Sequence, residues 1–169
     1  MKKFKLTSEF IVDISGVKLF RIKALIEFGN VKAGDLGGYI EKEKNLSHMG
    51  NAWVSGNAQV FGNARVFGNA RVSGDAQVSG NAWVFGDAQV FGDARVSGDK
   101  DYAYAHGFGS CNRTTTFFRL KDGDVGVRCG CFYGTLAQFR DNVCETHGET
   151  KKAQEYLMLA DLMDFRFKN

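Results

Sequence analysis

Proline is absent from the 169 residues, and histidine occurs only three times. With no proline, the turns fall to glycine, asparagine and aspartate. No apolar run reaches the roughly 18 residues of a membrane-spanning helix. The opening Met1-Lys2-Lys3-Phe4-Lys5 lacks the apolar stretch of a secretory signal, so the expected location is the cytoplasm. Four cysteines in such a compartment predict free thiols rather than disulfides. The net charge of +3 is too small to point to a nucleic-acid polymer, and no segment forms a basic tail or an acidic arm. With 44% hydrophobic and 24% charged residues the chain can bury a core, which excludes bulk disorder. The length suits one domain with a small appendage.

Glycine is what the sequence has in excess. Nine of its 21 glycines stand on one ladder, at 50, 56, 62, 68, 74, 80, 86, 92 and 98. Each hexad reads Gly, Asn or Asp, Ala, a variable residue, Val, then Phe or Ser. Eight copies run unbroken from Gly50 to Ser97. Ala and Val lie two apart and so point to the same side of a short strand. Gly followed by Asn or Asp supplies a corner, because both tolerate positive φ. Three strands and three corners close an 18-residue triangular coil, so the eight hexads make just under three coils. A single coil cannot bury its apolar side, and neighbours must stack. The hexads resemble those of the left-handed parallel β-helix proteins. That resemblance, not the usual crossover rule, supplies the left hand.

Stacking at 18 residues sorts the outward positions into three faces. Trp53, Arg71 and Gln89 head the first, and Gln59, Gln77 and Arg95 the second. The third carries Arg65 and Phe67, then Trp83 and Phe85. The third is the most apolar, and a patch of that kind predicts a partner surface. Arg65, Phe67, Trp83 and Phe85 are therefore the candidate interface residues. A homo-oligomer is expected, and the resemblance implies a trimer.

The expected architecture is mainly β, in three segments. Residues 1–49 hold a hairpin around Ser15-Gly16 and an irregular capping coil with Gly34, Gly37 and Gly38. Residues 50–99 are the β-helix. Residues 100–169 begin with a linker and form a ββαα unit. In it Thr114–Leu120 and Val125–Phe132 make a hairpin with a two-residue Asp-Gly loop. This register pairs Phe118 with Val127 and Thr116 with Cys129, placing these four on one face with Leu120 and Val125, opposite Phe117 and Arg128. Thr135 and Thr150 are set to cap two helices, the second with Tyr156, Leu157, Ala160, Leu162, Met163 and Phe167 turned to the core.

Chemistry is sparse. Cys129-x-Cys131 and Cys144-x-x-His147 contain zinc-type ligands, but their spacing matches no finger, and Cys129 and Cys131 also read as small core residues. No metal or cofactor is expected. The string from Gly107 to Arg119 gathers donors in a glycine-loosened setting that suits an anion or a sugar. Asn112, Arg113, Thr114, Thr115, Arg119 and Arg128, with Tyr133 as a stacking ring, are the candidate ligand residues. Arginine beside an aromatic suits a nucleotide.

Three stretches extend the resemblance to the hexapeptide-repeat proteins of phages and prophages. They are Asn30 to Ile40, the hexads, and the C-terminal strings Asn112 to Phe118, Cys129 to Gly134 and Glu145 to Gly148. The first is also similar to the entry of an enteric transferase of the hexapeptide class. Acyltransferases of this scaffold place a histidine general base near the coils, and its carbonic anhydrases need three histidines around a metal. Here His48, His106 and His147 all lie outside the hexads, and the loop such transferases insert between coils is missing. The expected function is therefore non-enzymatic: an oligomeric phage binding protein that counters host defence by sequestering a nucleotide signal or a host protein. The alternative is an acyl-CoA-dependent acyltransferase working through His48 or His106.

Overall fold

The structure, a computed structural model, describes residues 1–168. It is mainly β. The N-terminal hairpin joins β1 (Phe4–Val12) to β2 (Lys18–Ala24), which pairs antiparallel with β3 (Leu36–Ile40). Eight two-residue strands follow, each made of the variable residue and Val of one hexad: β4 (Trp53–Val54), β5 (Gln59–Val60), β6 (Arg65–Val66), β7 (Arg71–Val72), β8 (Gln77–Val78), β9 (Trp83–Val84), β10 (Gln89–Val90) and β11 (Arg95–Val96). They stack in parallel at the 18-residue spacing, as β4-β7-β10, β5-β8-β11 and β6-β9. Every Ala and Val of the hexads is buried. The ladder glycines from Gly50 to Gly92 have φ between 59° and 71°, where a Cβ is penalised. Gly98 is extended at φ −160°, and the coil stops there.

Hydrogen bonding gives this solenoid a direction. Trp53 N–H donates to Ala70 O at 3.0 Å, Gln59 N–H to Ala76 O at 2.9 Å and Arg65 N–H to Ala82 O at 2.9 Å. Each coil therefore donates to the next. Its N-terminal end presents unpaired carbonyls and its C-terminal end unpaired N–H groups. The outward corners follow the same direction: Asn57, Asn63 and Asn69 donate their amides to Asp75, Asn81 and Asp87 one coil on.

Donors cover the N-terminal end. The buried Lys3 ammonium donates to Ala52 O at 2.7 Å and Gly50 O at 3.3 Å. Tyr39 and Glu41 N–H donate to Ala58 and Val60 O. The buried Asn45 amide donates to Ala64 O at 2.9 Å and Gly62 O at 3.3 Å. Gly38 lets the chain pass this closely, since a Cβ there would lie 2.5 Å from Ala58 O. Acceptors cover the C-terminal end. Thr116 Oγ1 takes Gln89 N–H, Asp99 Oδ1 takes Trp83 N–H, and Asp101 Oδ2 takes Ser97 and Gly98 N–H.

The C-terminal unit has two strands beyond the expected hairpin. β12 (Tyr102–Ala105), in the stretch read as linker, pairs with β13 (Thr115–Arg119). Then come β14 (Val125–Cys129) and β15 (Phe132–Thr135), giving one antiparallel sheet in chain order. α1 (Leu136–His147) and α2 (Lys151–Phe167) follow, capped by Thr135 and Thr150. The hairpin register differs from expectation by one residue. Leu120 N–H donates to Asp124 O and Gly123 N–H to Leu120 O, with Gly123 at φ 90°. The loop is thus three residues with a left-handed glycine, not a two-residue Asp-Gly turn. Thr116 now faces Arg128, and Phe117 faces Val127. A one-residue slip reverses the faces: Phe118 joins the solenoid core, while Phe117 and Val127 pack with the helices. Leu162, expected in the core, is 56% exposed.

Replacing Asn45 by leucine removes the donor from two carbonyls at the first coil. At about 1–3 kcal/mol per stranded group, the urea midpoint should fall clearly. Asn63→Ala, at an exposed corner, should move it by less than about 0.5 kcal/mol. Equal midpoints would refute the capping role.

Burial, with repulsion from Arg71, lowers the Lys3 pKa from 10.5 to about 8. Between pH 8 and 10 the unfolded chain holds this proton and the folded chain does not, so stability should rise with pH across that window. Lys3→Met should flatten the rise in a pH series of urea unfolding curves.

Candidate functional site

The third face is built as its spacing requires. Arg65 pairs with Trp83 across β6 and β9, and Phe67 and Phe85 follow them in the chain. The Phe67 and Phe85 rings stack at 5.3 Å, Trp83 meets the Phe67 edge at 6.0 Å, and Tyr104 meets Phe85 at 6.2 Å. Trp83 remains 48% exposed and Phe85 40%. Sequence reading did not anticipate what closes the upper end of this face. Leu46 bridges to Val66 in parallel, 20 residues away instead of 18. The extra two residues sit in the 47–50 corner and bring Glu43, Lys44 and His48 beside Arg65, Phe67 and Trp83, lining a groove of about 570 Å³.

His48 is fixed in this groove from three sides. Its ring stacks on Phe4 at 4.2 Å, Nδ1 accepts the Lys3 backbone N–H at 3.2 Å, and Nε2 faces Glu43 Oε2 at 3.6 Å. Accepting at Nδ1 leaves the proton of the neutral ring on Nε2. Lys2, 2.9 Å from Glu43 Oε1, holds that carboxyl below its usual range, and His48 adds to the effect. A general base must offer a lone pair to the substrate. In this arrangement the Nδ1 lone pair is engaged by the backbone and Nε2 is turned to a carboxylate. His106 lies beyond β12, with Nδ1 2.9 Å from Thr114 Oγ1.

The seven ligand candidates do not converge. Thr115 is buried, with its hydroxyl donating to Cys129 Sγ at 3.2 Å. Thr114 is held by His106. Arg119 donates to Gly123 O and Phe167 O, and Arg128 lies over the Phe91 ring at 4.7 Å. These two arginines tie the sheet to its neighbours, a role the strand alternation alone did not reveal. Asn112 is exposed at φ 47°. Arg113 and Tyr133 alone line a common hollow, shared with Cys129, Cys131 and α1 residues. The cysteines do not gather either. Gly130 and Cys131 form the turn between β14 and β15, so Cys131 does not continue the strand alternation. Among the described residues no group of three or more His, Cys, Asp or Glu side chains is placed to hold a metal. No helix there is long and apolar enough to cross a membrane.

Stacked parallel strands, a hexad-by-hexad corner and capped ends define a β-solenoid repeat protein. Its coils match a family model of the YdcK β-solenoid repeat over residues 58–74, 76–90 and 88–99. A search of curated proteins finds no match.

The tautomer of His48 is directly measurable. Nitrogen-15 shifts of the neutral ring should show a protonated Nε2 and an unprotonated Nδ1. A protonated Nδ1 would contradict the contact with Lys3 N–H.

Proposed function

We propose that this protein is a non-enzymatic, self-assembling binding protein of phage origin that counters host defence by capturing a small nucleotide signal. The observation that carries the reading is the third face: a contiguous aromatic column in which Phe67 packs against Trp83 and Phe85, the latter two left half-exposed. Aromatic residues of this kind are the usual anchors of protein interfaces. A homotrimer brings three such faces together. The Nδ1 lone pair of His48, engaged by the Lys3 backbone N–H, supports binding over acyl transfer, the catalytic alternative for a solenoid similar to the hexapeptide transferases. The resemblance to phage hexapeptide-repeat proteins supports the origin, and Arg113 and Tyr133, which line one hollow of the C-terminal unit, support a nucleotide over a host protein.

Native mass spectrometry of protein purified from infected cells should report a trimer with a retained nucleotide. Trp83→Ser together with Phe85→Ser should lower the assembly to monomer with an unchanged circular dichroism spectrum. An unchanged mass would overturn the assembly role. Turnover of acetyl-CoA that is lost in His48→Ala or His106→Ala would overturn the non-enzymatic reading.

A further inference from the structure

Outside the third face, one hollow combines charge, hydrogen-bonding groups and aromatic walls. It is about 500 Å³, within the usual range for small-ligand sites, and lies between the β14–β15 turn and the helices. Its floor is aromatic: Phe139 meets Phe132 at 5.5 Å and Tyr156 at 5.6 Å. Asn142 and Thr146, one turn apart on α1, and His147 supply polar edges. Among the described residues no carboxylate lines it. Its one permanent charge is Arg113, which has no acidic partner among the described residues.

The Arg113 guanidinium lies against Gly130, which is itself left-handed at φ 57°. The loop before it is pinned to α2. Gly109 N–H donates to Glu155 Oε2 at 2.6 Å, and Ser110 N–H to the Tyr156 hydroxyl at 3.0 Å. Between these anchors and Arg113, Cys111 and Asn112 are both left-handed, at φ 58° and 47°. Two adjacent non-glycine residues in that region persist only where their surroundings hold them, a pattern that concentrates at ligand clamps.

We infer that this hollow binds a planar heteroaromatic ring bearing a phosphate, with Arg113 on the phosphate and Asn142 and Thr146 on the ring edge. A guanidinium is suited to bidentate phosphate contact. A hollow without carboxylates does not repel the anion, and the aromatic floor takes the ring. This rests on the nucleotide-capture reading and gives it a location. Most of that location lies outside the residues the sequence nominated.

The test is calorimetric titration of the full chain with AMP, cyclic AMP, adenosine and inorganic phosphate, for wild type, Arg113→Ala and Asn142→Ala. Both replaced side chains are exposed, and circular dichroism checks the fold. AMP or cyclic AMP should bind wild type at least tenfold more tightly than adenosine or phosphate. Arg113→Ala should bring the nucleotide down to the adenosine level, and Asn142→Ala should weaken nucleotide and adenosine alike. Nucleotide binding unaffected by either substitution would overturn this site and leave nucleotide capture standing. No binding of either nucleotide to wild type would overturn both. Phosphate binding as tightly as AMP would overturn the role given to the ring.

Discussion

A stack of parallel coils has two chemically different ends, and the rest of the molecule is arranged around that inequality. Each coil donates N–H groups in one direction only, so one end is left with carbonyls and the other with amides. Buried polar groups without partners are costly. The chain resolves this with side chains of matching sign: an ammonium and an amide over the carbonyls, two carboxylates and a hydroxyl over the amides. The corner ladders repeat the logic. Asn51, Asn57 and Asn63 stand in the first full coil, and the ladders finish on Asp87, Asp93 and Asp99. An amide can donate onward, whereas a carboxylate only accepts.

The same constraint accounts for the two flanking segments. The N-terminal hairpin carries Lys3 into the first coil and extends one solenoid sheet through β3. The C-terminal sheet lays Thr116 and Phe118 across the last coil, one as acceptor and one as core. Phe117, on the opposite side of the same strand, packs against the helices. A single strand thus joins two cores.

Much of this was legible in the sequence. The six-residue period gives the strands, the corners, the stacking distance and the aromatic third face, because a solenoid repeats one local solution. What was not legible is where the repeat ends. Lys3 and Asn45 read as ordinary polar residues, since their partners are 49 and 19 residues away. The 20-residue step at Leu46 hid the groove that receives His48. In the C-terminal unit, Asp-Gly suggested a two-residue loop, but Gly123 took the third position of a longer one and reversed the faces. With the faces reversed, the arginines and threonines singled out for a ligand went to structural partners.

That redistribution narrows the search for chemistry. His48, a candidate base in the sequence, is occupied with backbone at a capped end, as are Asp99, Asp101 and Thr116 at the other. Arg119 and Arg128 are spent on joining the sheet to α2 and to the last coil. The half-exposed Trp83 and Phe85, and the guanidinium of Arg113 beside an aromatic hollow, are among the features not consumed by holding the fold. The hexad position of Phe85 holds serine on a neighbouring face, at Ser55 and Ser73, so the repeat itself does not require an aromatic there. Function is therefore to be sought where the architecture does not dictate the side chain.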